Sequence, residues 1–325
     1  MRQYPDKEHR MIRTAECVTP KHPDKMCDRI ADAILTEAIK QDQNARTAIE
    51  VCAGHGIVTV LGEMTTTAFV DVADIARRIT DGECGVQVNI VRQSPDIAMG
   101  VDAGGAGDQG IMIGYACNEN DNLIPMELNL ARDLCQFIYM RHEVDGKTQI
   151  TMDGNKISTI VASFHNTKSG DLRSLVHQWL DGRKCESIMC NPAGDWKTGG
   201  LNADSGVTGR KLAIDNYGTR TPIGGGAFSG KDPTKVDRSA AYMARKIAVD
   251  ILRQKNAKEV IVSLAYAIGV PDPVMTECIA DGYHVDISRY NLTPKAIIDA
   301  LGLRDIDYEK TAEWGHFGIG MPWDA

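Results

Sequence analysis

The sequence predicts an α+β protein of three similar domains, each a mainly antiparallel sheet with helices on one face, in a pseudo-threefold arrangement. One order of patterns, helix, strand hairpin and helix, occurs three times along the 325 residues. Glycine-rich connections separate the copies. With 43% hydrophobic residues, the chain can bury a substantial core. The alternative is that hairpins and helices alternate by chance, as they do in many α+β proteins.

The first copy begins with a helical stripe of apolar residues over residues 24–42. Two runs typical of strands follow at residues 46–53 and 56–64. Asp71 is then placed to cap a short amphipathic helix. This order predicts an N-terminal domain at residues 1–101.

The second copy follows Pro125, where apolar residues at helical spacing mark a helix. Residues 148–152 and 156–164 flank an Asp-Gly-Asn turn, which is a good hairpin signal. A further helix is expected at residues 169–180. These elements predict a central domain at residues 102–190.

The third copy comprises a helix over residues 236–254 and two strands at residues 259–268 and 274–280. A helix at residues 293–301 completes it. The pattern predicts a C-terminal domain at residues 191–325.

Composition excludes several classes of protein. The net charge of −8 argues against a nucleic-acid partner that relies on many phosphate contacts. The N-terminus is charged, and no apolar run approaches the roughly 20 residues needed to cross a bilayer, so neither secretion nor a membrane partner is expected. Nine cysteines occur without any CxxC pair. They predict buried thiols in a reducing cytoplasm.

The stretch at residues 224–239, GGGAFSGKDPTKVDRS, combines glycines with lysines, an arginine and aspartates. It matches a phosphate-binding P-loop as far as Lys231, but Asp232 stands where that motif needs Ser or Thr for magnesium. Glycines still let backbone N–H groups approach an anion, and lysines supply positive charge. The stretch is interpreted as a polyphosphate and metal cradle, with a glycine-rich turn before a solvated helix as the alternative.

A second cluster, His22, Asp24 and Lys25, stands where the first helix is expected to begin. These residue types suit a metal-bound polyphosphate, because aspartate binds magnesium, lysine neutralises phosphate and histidine donates to a leaving oxygen. The alternative is a helix-start carboxylate beside a surface histidine. Isolated carboxylates at strand ends or in glycine loops are further candidates: Glu50, Glu63, Asp108, Asp145, Asp204 and Asp237.

Taken together, these residues resemble the S-adenosylmethionine synthetase (methionine adenosyltransferase) family. The resemblance runs from residue 16 to residue 323. It rests on HPDK at residues 22–25, GEMTTTA at 62–68, QSPDI at 93–97, GAGDQG at 105–110, DSGVTGRK at 204–211 and GGGAFSGKDPTKVDRSAAY at 224–242. The GAGDQG segment and the last segment are the most specific. The family's three-domain fold with internal pseudo-threefold symmetry agrees with the three copies.

The resemblance implies an enzyme that joins ATP and L-methionine. The thioether sulfur attacks C5′ of ATP and expels triphosphate, which is hydrolysed to phosphate and diphosphate. A thioether carries no proton, so the attack needs no general base, and catalysis depends on positioning and on stabilising the leaving group. The implied cofactors are two Mg²⁺ and K⁺. The implied assembly is a homodimer with active sites between subunits, in which dimers sometimes pair into tetramers.

The resemblance also implies a role for each matching residue. The catalytic residues are His22, near the breaking C5′–O bond, and the triphosphate-binding Lys147, Arg210, Lys231 and Lys235. These residues together with Asp145, Asp204 and Lys211 would bind ATP. The methionine-binding residues would be Glu63, Gln93, Asp108 and Asp204. The metal ligands would be Asp24 and Asp237 for magnesium and Glu50 for potassium.

The sequence departs from the family pattern at several positions. Pro20 and Lys21 replace a Glu-Gly pair ahead of HPDK, Met189 stands where an aromatic partner for adenine is expected, and residues 201–203 replace a proline-containing turn. The loop between QSPDI and GAGDQG is short, which predicts a smaller lid and altered substrate capture or product release. The chain ends soon after GHFG at residues 315–318. A non-catalytic nucleotide-binding or regulatory homologue therefore stays open, although intact HPDK, GAGDQG and KDPTKVD favour the enzyme.

Overall fold

The computed structural model describes residues 11–93 and 104–325. The strands are β1 (Ile12–Val18), β2 (Arg46–Gly54), β3 (Ile57–Thr65), β4 (Gly85–Val91), β5 (Gly110–Cys117), β6 (Gly146–Asp153), β7 (Lys156–Phe164), β8 (Cys185–Cys190), β9 (Gly206–Val207), β10 (Glu259–Tyr266), β11 (Met275–Ala280) and β12 (Tyr283–His284). The helices are α1 (Pro23–Gln41), α2 (Val72–Ile79), α3 (Met126–Tyr139), α4 (Ser169–Leu180), α5 (Leu212–Asp215), α6 (Val236–Lys255), α7 (Pro294–Leu301) and α8 (Tyr308–Thr311).

Three four-stranded sheets form the framework, with strand orders β4-β3-β2-β9, β1-β6-β7-β8 and β12-β11-β10-β5. Neighbouring strands are antiparallel except in the β3–β4 and β7–β8 pairs, which are parallel. Helices α1 and α2 pack on the first sheet, α3 and α4 on the second and α6 on the third. The predicted α+β class is confirmed.

The three predicted hairpins and their flanking helices are all present, with bounds within a few residues of those expected. Local sequence patterns did not indicate the remaining strands, β1, β4, β5, β8, β9 and β12. Three of them cross between the predicted segments, because β1 pairs with β6, β5 pairs with β10 and β9 pairs with β2. The domain bounds 1–101, 102–190 and 191–325 therefore stay a prediction, because the sheets do not follow these bounds.

Close packing of α6 on the third sheet depends on a glycine in β5. A Cβ added to Gly114 would lie 2.1 Å from the carbonyl carbon of Ala244 in α6. The C-terminal segment covers the other side of this helix, where the Trp323 ring stacks on Tyr242 with centroids 3.7 Å apart. None of the helices in the described part of the chain is both long and apolar enough to cross a membrane.

Candidate active site

The first group of predicted site residues lies where β1 leads into α1. His22 is the N-cap of α1, and its Nδ1 accepts a hydrogen bond from the backbone N–H of Asp24 at 3.2 Å. Burial, together with the positive charges of Lys211 and Lys147, lowers the pKa of His22 to about 4. The imidazole is therefore neutral at pH 7.

Asp24 connects α1 to the loop that carries Arg210 and Lys211. Its Oδ2 accepts from Lys211 Nζ at 2.5 Å, its Oδ1 accepts from the backbone N–H of Val207 at 2.9 Å, and Arg210 Nε lies 3.7 Å from Oδ1. Although burial acts in the opposite direction, the hydrogen bonds from Lys211 and Val207 lower the pKa of Asp24. The carboxylate stays ionised, as a magnesium ligand must.

Asp145, Lys147 and Asp204 belong to the same neighbourhood. Asp145 Oδ2 accepts from the backbone N–H of Gly200 at 2.9 Å, and burial raises the pKa of this carboxyl. The charges of Lys147 and Asp204 act on Asp145 and also on His22. We call the whole set the His22 group: His22, Asp24, Asp145, Lys147, Asp204, Arg210 and Lys211.

An aromatic pair that the sequence patterns did not indicate lies beside the His22 group. The rings of His165 and Trp196 lie 5.6 Å apart, and the backbone N–H of His165 donates to the carbonyl of Asp145 at 2.9 Å. Gly199 lies against the His165 ring, because an added Cβ would be 2.5 Å from Cγ. Met189 was expected to leave adenine without a stacking partner, yet this pair offers an aromatic surface. The signal in the sequence that could have indicated this pair was the presence of aromatic residues near Asn-Pro.

A second group surrounds Lys231 in the glycine-rich stretch. Lys231 Nζ lies 2.6 Å from Asp237 Oδ2. The loop backbone lies directly over Asp237, since a Cβ added to Gly226 would be 2.1 Å from its Cγ. Both side chains line a cavity of about 680 Å³ that Gln109 and the end of β10 complete. Among the cavity-lining residues of β5 and β10, the sequence indicated only Gly110, which ends GAGDQG.

Glu50 and Lys235 lie near this second group. Burial raises the pKa of Glu50, and the charge of Lys231 partly offsets that effect. Lys235 Nζ pairs with Asp232 Oδ2 at 2.5 Å. Asp232 also accepts from the backbone N–H of Thr47 at 2.9 Å, so it ties the glycine-rich stretch to β2. We call Glu50, Lys231, Lys235 and Asp237 the Lys231 group.

The predicted methionine residues lie at loop and strand ends. Glu63 pairs with Val91 near the ends of β3 and β4, and the backbone N–H of Gln93 donates to Thr65 Oγ1 at 3.2 Å. Asp108 is exposed, and its carboxylate accepts from the backbone N–H of the next residue at 2.8 Å. The rest of QSPDI and the predicted lid fall mainly in residues 94–103, outside the described residues.

The two groups are separate in one chain. Within residues 11–93 and 104–325, no hydrogen bond or ion pair joins a member of the His22 group to a member of the Lys231 group. The described lining of the 680 Å³ cavity likewise contains no residue of the His22 group. The sequence alone did not establish that these residues converge, and the family resemblance implied active sites between two subunits.

Lys25, suggested from the sequence to neutralise phosphate, is an interior residue, and so is Arg238 of the glycine-rich stretch. Lys25 is completely buried, with Nζ 2.7 Å from Asp215 Oδ1 and 3.2 Å from Asp28 Oδ2. Arg238 is also buried, with Nη2 2.5 Å from Asp32 Oδ1. Both charges are compensated inside the protein. The expectation that Lys25 neutralises phosphate is therefore wrong.

Comparisons with known proteins cover nearly the whole chain. Sequence models of the S-adenosylmethionine synthetase N-terminal, central and C-terminal domains match residues 10–95, 103–192 and 198–325. An S-adenosylmethionine synthase from Brachyspira hyodysenteriae is 39% identical over 95% of this chain and 93% of its own length. One from Bifidobacterium adolescentis is 37% identical over 96% of this chain and 95% of its own length.

A solved structure gives the same result. A structure described as an unusual S-adenosylmethionine synthetase from Campylobacter jejuni superposes with a TM-score of 0.87 at 32% identity, covering 97% of this chain and 96% of the other. Three matched domains, relatives that align over almost their full length, and a shared fold lead to one conclusion. The chain belongs to the S-adenosylmethionine synthetase family.

Proposed function

We propose that the chain makes S-adenosylmethionine from ATP and L-methionine and releases phosphate and diphosphate. The observation that carries this proposal is a pair of lysine–aspartate contacts, Lys211 with Asp24 at 2.5 Å and Lys231 with Asp237 at 2.6 Å. Each contact joins a cation suited to phosphate with a carboxylate suited to magnesium. The family match supplies the reaction.

These contacts suit a ligand that brings both phosphate and magnesium. When such a ligand binds, each lysine would exchange a carboxylate for a phosphate oxygen, and each carboxylate would exchange a lysine for the metal. The exchange keeps every charge compensated, so neither Asp24 nor Asp237 becomes an unpaired buried charge. An uncharged ligand would offer no such exchange.

His22 suits a donor to the leaving oxygen. Its Nδ1 accepts a hydrogen bond, so the neutral ring carries its proton on Nε2. That proton can stabilise the negative charge that develops as the C5′–O bond breaks. The thioether sulfur needs no base, which agrees with a site in which the histidine is a neutral donor. The His165–Trp196 pair would provide the surface for adenine.

The proposed metals fit the donors that the chain offers. No cluster of three or more histidine, cysteine or acidic side chains that could hold a metal occurs in the described ranges. Magnesium in nucleotide enzymes is usually held by one or two carboxylates together with substrate phosphates. Asp24 and Asp237 meet that need, and the ions would neutralise triphosphate charge. Glu50, a carboxylate that feels the charge of Lys231, would serve K⁺.

We further propose a homodimer with composite sites. On the outer face of the first sheet, which no helix of residues 11–93 and 104–325 is seen to cover, Ile57 and Leu61 are 49% and 42% exposed. Glu50 lies directly opposite Leu61 in the β2–β3 ladder, so the Lys231 group borders this face. A second copy on the same face would bring its own His22 group to the Lys231 group. All nine cysteines are free thiols, which supports a cytoplasmic location.

A direct assay tests the proposed activity. The protein is incubated with ATP, L-methionine, Mg²⁺ and K⁺, and S-adenosylmethionine, phosphate and diphosphate are measured by mass spectrometry and coupled colour assays. We expect all three products, and a loss of about 100-fold or more in kcat when Lys211→Met removes one triphosphate cation. Bound ATP without any S-adenosylmethionine would instead support the non-catalytic homologue.

A further inference from the structure

Three aspartates of α1 form a buried row. Asp24, Asp28 and Asp32 are spaced four residues apart, so they lie on one face of the helix. Their exposed fractions are 2%, 0% and 0%. Burying several carboxylates on one helix is costly unless each is compensated, and a helix does not need them to form. Their partners therefore indicate what they do.

Each carboxylate in the aspartate row accepts a backbone N–H from a glycine-rich loop. The three bonds, each 2.9 Å long, run from Val207 to Asp24, from Gly209 to Asp28 and from Gly230 to Asp32. The first two donors lie in one loop and the third lies in the other. A single rigid helix thus holds both loops.

The bonds to Asp28 and Asp32 fall directly before the proposed phosphate cations. Gly209 precedes Arg210 and Lys211, and Gly230 precedes Lys231. Gly230 has φ of +83°, and a Cβ there would lie 2.0 Å from the carbonyl oxygen of Ile49. The loop packs tightly at Gly230. The direction of the Gly230 N–H therefore determines where the side chain of Lys231 begins.

Buried cations hold the two carboxylates in place. Lys25 Nζ lies 3.2 Å from Asp28, and Arg238 Nη2 lies 2.5 Å from Asp32. Arg238 also donates from Nε to the carbonyl of Phe228 at 2.7 Å, within the same loop as Gly230. The position of each carboxylate is therefore set from the protein interior.

We propose that Asp28 and Asp32 are positioning residues for the triphosphate cations: Asp28 places Arg210 and Lys211 through Gly209, and Asp32 places Lys231 through Gly230. The inference rests on the proposed function, because it assigns those cations to triphosphate. It adds that α1 sets the geometry of both groups at once, since Asp28 acts on the His22 group and Asp32 on the Lys231 group.

Asparagine substitutions test the proposal in the full-length enzyme. Asp28→Asn and Asp32→Asn retain side-chain size but lose the charge that holds the loop. We expect kcat to fall by about tenfold or more, because misplacing a binding group by about 1 Å costs up to 100-fold. KM for methionine should change less than threefold, since three of the four predicted methionine residues, Glu63, Gln93 and Asp108, lie outside both loops.

Asp324 provides a matched control. Its side chain is 8% exposed, and its carboxylate accepts from an arginine, Arg245 Nε at 2.9 Å, and from a backbone N–H, Gly318 at 2.9 Å. It lies in the C-terminal segment, away from both loops. Asp324→Asn should lower the melting temperature as the other two variants do but keep kcat within twofold. Equal losses of kcat in all three variants, or an unchanged kcat in the row variants, would overturn the proposal.

Two further measurements keep the outcome unambiguous. If the asparagine variants do not fold, Asp28→Glu and Asp32→Glu preserve the charge but move the acceptor, and kcat should still fall by about tenfold. Unfolded glutamate variants beside a folded Asp324→Asn would show that the row only maintains the fold.

If the wild-type protein makes no S-adenosylmethionine, the proposed function fails by itself. Weaker binding of inorganic tripolyphosphate with Mg²⁺ to the row variants then still tests the positioning, and unchanged binding refutes it.

Discussion

Gly225 and Gly226 are neighbours with different surroundings. A Cβ added to Gly226 would lie 2.1 Å from Asp237 Cγ, whereas nothing lies within 4 Å of one added to Gly225. Neither glycine has a positive φ. Substituting each glycine in turn therefore distinguishes the effect of an added side chain on Asp237 from its effect on the loop backbone.

We expect Gly226→Ala to lower kcat/KM for ATP by about 100-fold, because Asp237 must move by an ångström or more. Gly225→Ala, with open space and an ordinary backbone, should stay within about threefold of wild type. Steady-state rates across a Mg²⁺ titration provide the measurement, and the Gly226 variant should require more Mg²⁺. Similar rates in both variants would show that the position of Asp237 does not determine the reaction rate.

At the scale of elements, local patterns predicted the hairpins and helices well, because a hairpin carries its turn and both strands within one short stretch. The strands β1 and β5 could not be predicted in the same way. β1 pairs with β6 so that Ile12 lies opposite Asp153, and no periodicity in either stretch names its partner. The site shows the same limit: Lys25 has the same sequence signature whether it faces phosphate or the interior.

The C-terminal segment is fixed to α6 by a buried histidine. The Tyr242 hydroxyl lies 2.7 Å from His316 Nδ1, and the His316 side chain is completely buried. Burial, followed by the charges of Arg238, Lys25 and Arg132, lowers the pKa of His316 well below its usual value. The ring is therefore neutral in the folded protein at pH values where it is protonated in the unfolded chain.

This difference predicts a pH dependence of stability. An unfolded histidine has a pKa near 6.5, so below that pH the unfolded state binds one more proton than the folded state. The free energy of unfolding should fall by up to about 1.4 kcal/mol for each pH unit below 6.5. His316→Gln should be less stable at pH 7.5 but lose less stability between pH 6.5 and 5.5. Urea unfolding of both proteins measures the difference, and parallel pH profiles would contradict the assignment.

At the scale of the whole molecule, the proposed site would draw on both groups of predicted residues, which no hydrogen bond or ion pair joins within residues 11–93 and 104–325. As one half, the His22 group would provide a neutral donor, the proposed magnesium ligand Asp24 and the cations at Arg210 and Lys211. As the other half, the Lys231 group would provide the proposed magnesium ligand Asp237, the cavity and the cation at Lys231. In the proposed homodimer each active site would take one half from each subunit.

Mixed dimers test this arrangement. Lys211→Ala disables the His22 group and Lys231→Ala disables the Lys231 group, so each pure variant should lose about 100-fold in kcat. A heterodimer of the two has one site with both halves intact. Co-expression with two affinity tags should therefore recover about a quarter of wild-type activity, since half of the dimers are mixed and each has one good site. Lys211→Ala mixed with Lys147→Ala is the control, because both changes fall in the His22 group and no intact site can form. Recovery in neither mixture, with heterodimers isolated through both tags, would mean that each chain builds its site alone.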